Sequence, residues 1–316
     1  MEIYPYAFEP IFKERIWGGR KLEQVFGKPL PPDAGIGESW ELADLPHDKS
    51  RIANGPLTGM TLAEAIERHT TAITGTTDYK PPFPLLIKLL DATDTLSVQV
   101  HPDAEACRRM GKGDPKTECW YIVAAEPGSF IYKGLIKGTT RKTFAAAIAD
   151  GTCAEYLNKV LVQPGECHFL PAGTPHAIGP GLVIAEVQQP SDTTYRVFDW
   201  NRVDPATGKG RPLHLAEALE SIHFDAAGDD LSVRKLGRLV DSQAFRIDKG
   251  HQKTGCEILL TSGKMKVLVF VAGAGRIRND RTVQVDFRKG HTVLLPAAFE
   301  GTAAFAEDTE YLVVEL

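Results

Sequence analysis

The 316-residue sequence predicts a mainly β protein, built as two β-barrel domains with a few peripheral helices. Three observations carry that reading. Short runs alternate apolar and polar residues, as in Leu96-Ser97-Val98-Gln99-Val100-His101, so that at a strand period of two each polar set shares one face. Gly165, Pro171, Gly173 and His176 stand at the spacing of a strand that ends in a tight turn and delivers one imidazole at the start of the next strand. Near the C-terminus, Gly290 and Pro296 repeat the interval of Gly165 and Pro171 without the later Gly and His, which predicts a second barrel lacking a metal site.

Taken in chain order, the elements support this architecture. Thr61-Leu62-Ala63-Glu64 forms a capping box, and Leu62, Ala65, Ile66, His69 and Ile73 recur at helical spacing. Pro84 to Leu90 is an apolar strand interrupted by Lys88, where burial of an unpaired ammonium would be costly, so Lys88 must face a pocket, a partner or a ligand. A short helix over Asp103 to Met110 fills the gap between His101 and Glu118, which opens another strand-like run. Thr143 to Asp150, stopped by Gly151, and then Ala154 to Leu157 read as a helical excursion, and Leu213 to Phe224 as a further helix. Between them, Leu182 to Gln188 alternates so that Glu186 and Gln188 share a face. The periodicity breaks at Asp225 to Asp230, and the tail from Cys256-Glu257-Ile258 to Leu312-Val313-Val314 reads as strands. A domain over 1–230 carrying the helices, followed by one over 231–316, is therefore expected. Gly273-Ala274-Gly275 is read as a hairpin turn and not a nucleotide loop.

Composition limits the function classes. A chain with 43% hydrophobic and 24% charged residues can bury a large core and needs no partner for stability, so a monomer is the simplest expectation. Its 36 basic residues are scattered among 41 acidic ones for a net charge of −5, which argues against nucleic-acid binding and makes any phosphate site a local feature. The five cysteines, 107, 119, 153, 167 and 256, include no CxxC pair, as expected of free thiols in a reducing compartment. No apolar segment follows Met1 and no run of about twenty apolar residues occurs. A cytoplasmic protein without membrane contact is expected.

The candidate site follows from the imidazoles. Gln99 and His101 share a face, Glu118 opens a strand seventeen residues past His101, and His176 follows the Pro-x-Gly turn. Two imidazole nitrogens and two oxygens suit Zn²⁺ and tolerate other divalent first-row ions, and the lack of a cysteine ligand points to a catalytic site with an open position. His168 and His223 have no such context and read as hydrogen-bonded structural residues. Arg196 offers a planar fork for phosphate or an oxyanion, while Lys88 and Lys116 offer point charges. Glu186 is a candidate base or hydrogen-bond partner, and the sequence does not name the base. Lys116 follows Gly111-Lys112-Gly113-Asp114-Pro115, which reads as an exposed loop.

Gly165 to His176 resembles the second half of the cupin signature, departing from it at Pro180, where that family often has Asn. The resemblance narrows further. Gly37-Glu38-Ser39-Trp40-Glu41, Pro84 to Leu90, Leu96 to Pro102, Lys116-Thr117-Glu118, Pro171 to Ala177 and Ser191 to Arg196 occur in the order found in type I mannose-6-phosphate isomerases, in their short bacterial form. The resemblance implies two cupin (jelly-roll-like) barrels and a metal-dependent aldose-ketose isomerase acting on a sugar phosphate. It implies Gln99, His101, Glu118 and His176 as zinc ligands and Arg196 as the active-site arginine. Lys116 and Glu186 would then stand beside Arg196 in catalysis, with Lys88, Ser97 and Asp192 binding substrate. Two rival readings are a cupin oxygenase with Fe(II) in a two-His, one-carboxylate triad, and a non-catalytic sugar-binding bicupin. Gln99 as a fourth ligand, with Lys88 and Arg196, argues against the first, and the open ligand set against the second.

Overall fold

The computed structural model describes residues 3–203, 208–226, 232–279 and 283–316. The chain packs as two compact units, one made of Met1–Glu14, Arg20–Leu89 and Arg234–Leu316, the other of Arg15–Gly19 and Leu90–Val233. The break expected at Asp225 to Asp230 lies partly outside the described residues. The later junction falls close to the expected 230/231 boundary, yet Arg20–Leu89 groups with the C-terminal segment and not with the region carrying His176. A loss of periodicity marks where a linker runs. It does not reveal which earlier segment packs with the tail.

In the first unit the N-terminal strand Tyr6–Ala7 pairs antiparallel with Thr292–Leu295 and so becomes the edge of a six-stranded sheet completed by Lys266–Ala272, Thr309–Glu315, Arg246–Gln252 and Gly237–Asp241. Four shorter strands, Glu257–Leu260, Gly301–Phe305, Ala274–Arg278 and Val285–Arg288, make a second sheet. Phe270, Phe287, Phe305 and Tyr311 form one buried cluster, with the Phe270 and Phe287 rings stacked at 3.8 Å between centroids. Gly273, at φ +80°, makes a tight turn from Lys266–Ala272 into Ala274–Arg278, but the two strands belong to different sheets, so the expected hairpin is instead a crossing from one sheet to the other. This unit also holds the helix Leu62–Thr74, whose capping box at Thr61 and Glu64 is formed on both sides, and the short helix Lys21–Phe26, which carries no sequence signal strong enough to announce it.

The second unit is the barrel that bears the candidate ligands. Its five-stranded sheet runs in the order Tyr195–Phe198, Val98–Val100, His176–Ile178, Phe130–Leu135, Leu157–Leu161. Leu182–Gln188, Glu118–Ala125 and Cys167–Leu170 pair as neighbours in another sheet. Trp120, Ile122, Ile131, Leu170, Ile178 and Ile184 fill one apolar core. Phe144, Ala147, Ile148, Ala218 and Ile222, drawn largely from the helices, form another with Val98, Val100 and Val197. Such alternation is what puts one residue of each strand pair inward and its neighbour outward. Helix Arg141–Ala149 starts two residues earlier than expected, because Thr140 caps it by accepting from the Thr143 N–H. The last helix is confined to Leu215–Ser221. No helix among the described residues is long and apolar enough to cross a membrane.

Candidate metal centre

Strands of two different sheets supply the candidate ligands. In the five-stranded sheet Gln99 is paired with both His176 and Arg196, so these three side chains stand side by side across it. Glu118 comes from the start of the Glu118–Ala125 strand. His101, Glu118 and His176 are all buried, and their ligand atoms lie within 4.8 Å of one another. Glu118 Oε1 is 3.1 Å from His176 Nε2, and its Oε2 is 3.4 Å from His101 Nε2.

The turn before His176 is formed as its residues predict. Gly173 has φ +85°, and its N–H donates to the His101 carbonyl at 2.8 Å, which ties the turn to the other histidine's backbone. A Cβ there would lie 2.6 Å from His223 Nδ1, so the position admits only glycine.

The protonation pattern points to a cation. His101 Nδ1 lies 2.8 Å from the Thr193 carbonyl and His176 Nδ1 lies 2.8 Å from the Thr174 carbonyl. A carbonyl only accepts, so each Nδ1 carries the proton and each Nε2 presents a lone pair. Burial pushes the His101 imidazole down to about 3, assisted by the Lys116 charge, and burial lowers His176 as well, so both rings are neutral near pH 7. Two lone pairs therefore face a buried carboxylate. Burial alone would raise Glu118, but the Lys116 charge beside it acts the other way and holds it below the ordinary carboxyl range. Both of its oxygens are fully buried without a well-formed hydrogen bond among the described residues. Acceptors converging in this way are stable around a positive charge, and the donor set of imidazole nitrogens and carboxylate oxygen fits a divalent metal.

Lys116 supplies part of that charge. Its Nζ stands 2.9 Å from Glu118 Oε2 and 3.1 Å from His101 Nε2, and the residue is 4% exposed although the loop before it reads as solvated. Gln99 sets its amide 3.4 Å from His176 Nε2. A half turn of the amide would present its oxygen instead.

The remaining sequence candidates are distributed less tightly. Arg196 is half-buried; its guanidinium donates to the Pro212 carbonyl at 2.9 Å, while its Nε is buried without a hydrogen-bond partner among the described residues. Burial and the neighbouring Arg211 lower its pKa. Glu186 accepts from the Trp120 indole at 2.9 Å, and the Trp120 ring meets His176 edge-on at 5.2 Å between centroids. Ser97 is buried just before the Gln99 strand, and Asp192 is exposed. Lys88 belongs to the first unit, buried, with its ammonium 5.3 Å over the Trp40 ring. Outside the cluster, His168 pairs with Glu166 at 3.2 Å and His223 with Asp103 at 2.8 Å, as expected of structural histidines.

Four features carried no sequence signal. These are the carbonyls of Thr193 and Thr174, the Trp120 bridge, and the contact of Cys119 with Cys167 at 3.1 Å between sulfurs.

Residues 6–121 match the family described as phosphomannose isomerase type I, catalytic domain. The chain is 37% identical to the Probable mannose-6-phosphate isomerase GmuF of Bacillus subtilis, over 96% of this chain and 98% of that protein. It superposes on the crystal structure of the mannose 6-phosphate isomerase from Bacillus subtilis with a TM-score of 0.87, at 28% identity and over 99% of both chains. It shares its fold with a zinc-bound mannose 6-phosphate isomerase structure at a TM-score of 0.77 and 18% identity, over 98% of this chain and 99% of that one.

Proposed function

The chain belongs to the type I phosphomannose isomerase family, and from that premise we propose that it interconverts mannose 6-phosphate and fructose 6-phosphate, with zinc held by Gln99, His101, Glu118 and His176. The observation that carries this reading is the set of two neutral histidine lone pairs and one buried carboxylate converging, with no hydrogen-bond donor to Glu118 Oε1 among the described residues. Aldose-ketose interconversion moves a proton between adjacent carbons, so negative charge develops on two neighbouring sugar oxygens. A bound divalent cation would stabilise that charge as a Lewis acid.

The protein's own groups divide the remaining work. Lys116, a buried ammonium beside His101 and Glu118, adds positive charge where the sugar oxygens meet the cluster. Arg196 and His176 flank Gln99 on neighbouring strands, and the buried Arg196 Nε–H has no hydrogen-bond partner among the described residues. It suits the phosphate dianion or the enediolate oxygen, where a planar fork outperforms a point charge. Glu186 is the candidate base: a carboxylate 4% exposed and oriented by Trp120. Ser97 and Asp192 complete the proposed substrate contacts.

The test is a coupled assay of fructose 6-phosphate formation from mannose 6-phosphate, run before and after chelation with metal analysis on the same preparation. Turnover lost on chelation and restored by zinc is expected. Absence of turnover in metal-replete protein would sink the assignment.

A further inference from the structure

Gln188 lies directly opposite Glu118 in the strand pairing and is fully buried. Its Nε2 donates to two backbone carbonyls, Gln189 at 2.9 Å and Ser191 at 2.7 Å. Only the NH₂ end can serve two carbonyls, so the amide's orientation is fixed by these bonds. Among the described residues its Oε1 accepts nothing, and no competing bond sets that orientation.

What Gln188 holds leads to the metal centre through a continuous chain of hydrogen bonds. The residue whose carbonyl it grips, Ser191, accepts from the Thr193 N–H through Oγ at 3.1 Å and donates from Oγ to the Asp114 carbonyl at 3.1 Å. Thr193 Oγ1 accepts from the Asp114 N–H at 3.0 Å. The Thr193 carbonyl then takes His101 Nδ1 at 2.8 Å. Gln189 fastens the same turn from the other side, since its side chain accepts from the N–H of Thr117, the residue between Lys116 and Glu118, at 2.9 Å.

We propose that Gln188 is a positioning residue for His101: by gripping the 189–191 backbone it places the Thr193 carbonyl that fixes the ring's tautomer and aims Nε2 at Glu118. The proposal rests on the reading of His101 as a metal ligand. An outer partner of this kind acts on a ligand's orientation and basicity, and losing one lowers metal affinity by about 10–100-fold. A residue that merely filled core space would affect melting alone.

The experiment compares parent, Gln188→Met, Ser191→Ala and the double variant. Zinc affinity is measured by competition with a chromophoric chelator, and the His101 ring nitrogens are followed by ¹⁵N NMR in chelated protein. The expected result is a drop in zinc affinity of about 10–100-fold for each single variant, a shift of the His101 Nδ1 signal away from its hydrogen-bonded position, and a double variant scarcely worse than the singles because both cut one chain of bonds. If Gln188→Met does not fold, Ser191→Ala carries the same two readouts. Parent-like zinc affinity and Nδ1 signal in a folded single variant, even one with a lowered melting temperature, would overturn the positioning role. Additive losses in the double variant would do the same. A parent that takes up no zinc would instead overturn the metal-ligand reading beneath it.

Discussion

Replacing Lys116 by methionine should separate the two cations that can satisfy Glu118. The Lys116 ammonium stands 2.9 Å from Oε2, and the two side chains are 5% and 1% exposed. Methionine keeps the length of the side chain and removes the charge. The carboxylate must then remain buried and ionised beside neutral imidazoles, or take up a proton. Protonating a carboxyl of ordinary value 4.5 at pH 7 costs about 3.4 kcal/mol, because each pH unit corresponds to about 1.4 kcal/mol. That sets a ceiling on the loss, and it agrees with the roughly 3–5 kcal/mol observed when one partner of a buried ion pair is removed. For a unit of this size it amounts to a fall of up to about 7–14 °C in melting temperature. Zinc should reverse the loss, since the metal replaces the missing positive charge, and the ammonium no longer competes for His101 Nε2 and Glu118 Oε2. Lys116→Met is therefore expected to melt early when chelated, to bind zinc at least as tightly as the parent, and to be impaired in turnover. Scanning calorimetry with and without excess zinc reads the melting, chelator competition the affinity and the coupled assay the turnover. A chelated variant melting within about 2 °C of the parent, well short of the expected fall, would refute the reasoning, as would zinc affinity weaker than the parent's.

His101→Ala and His176→Ala should each abolish metal content and turnover, whereas Gln99→Ala should lose less metal because a neutral amide oxygen is the weakest donor of the set; equal losses on metal analysis would contradict that ranking. Arg196→Ala should keep its fold and metal while losing about two to three orders of magnitude in turnover, with little recovered by Arg196→Lys, and normal steady-state kinetics in the metal-replete variant would remove Arg196 from catalysis. In chelated protein, stability should fall as the pH drops from about 6.5 toward about 4. Burial holds His291 to about 4 and His101 to about 3, so across that window the unfolded chain binds protons that the native state refuses, and falling pH favours unfolding. Urea midpoints should track this, and His291→Gln should flatten the profile; an unchanged slope in that variant would show that His291 does not contribute.

The amino-acid sequence by itself determined the metal centre's ligands as candidates, because the information is local. A period of two puts Gln99 and His101 on one face, and a Pro-x-Gly turn delivers His176, whatever the rest of the chain does. The capping boxes and apolar alternation are local in the same sense, and so the strands and the Leu62–Thr74 helix were legible. What lies opposite a residue is not local. Glu118 meets Gln188 seventy positions away through strand register, and only that register brings the grip on Ser191, and through it the Thr193 carbonyl, to His101. Lys116 was placed in a solvated loop by its glycine-rich neighbours, while the tertiary structure buries its ammonium against Glu118, because the attraction of converging acceptors outweighs a loop's preference for water. The same limit applies to Arg20–Leu89, which joins the C-terminal unit. Strand alternation states that a face must be covered, and only the folded chain decides which segment covers it.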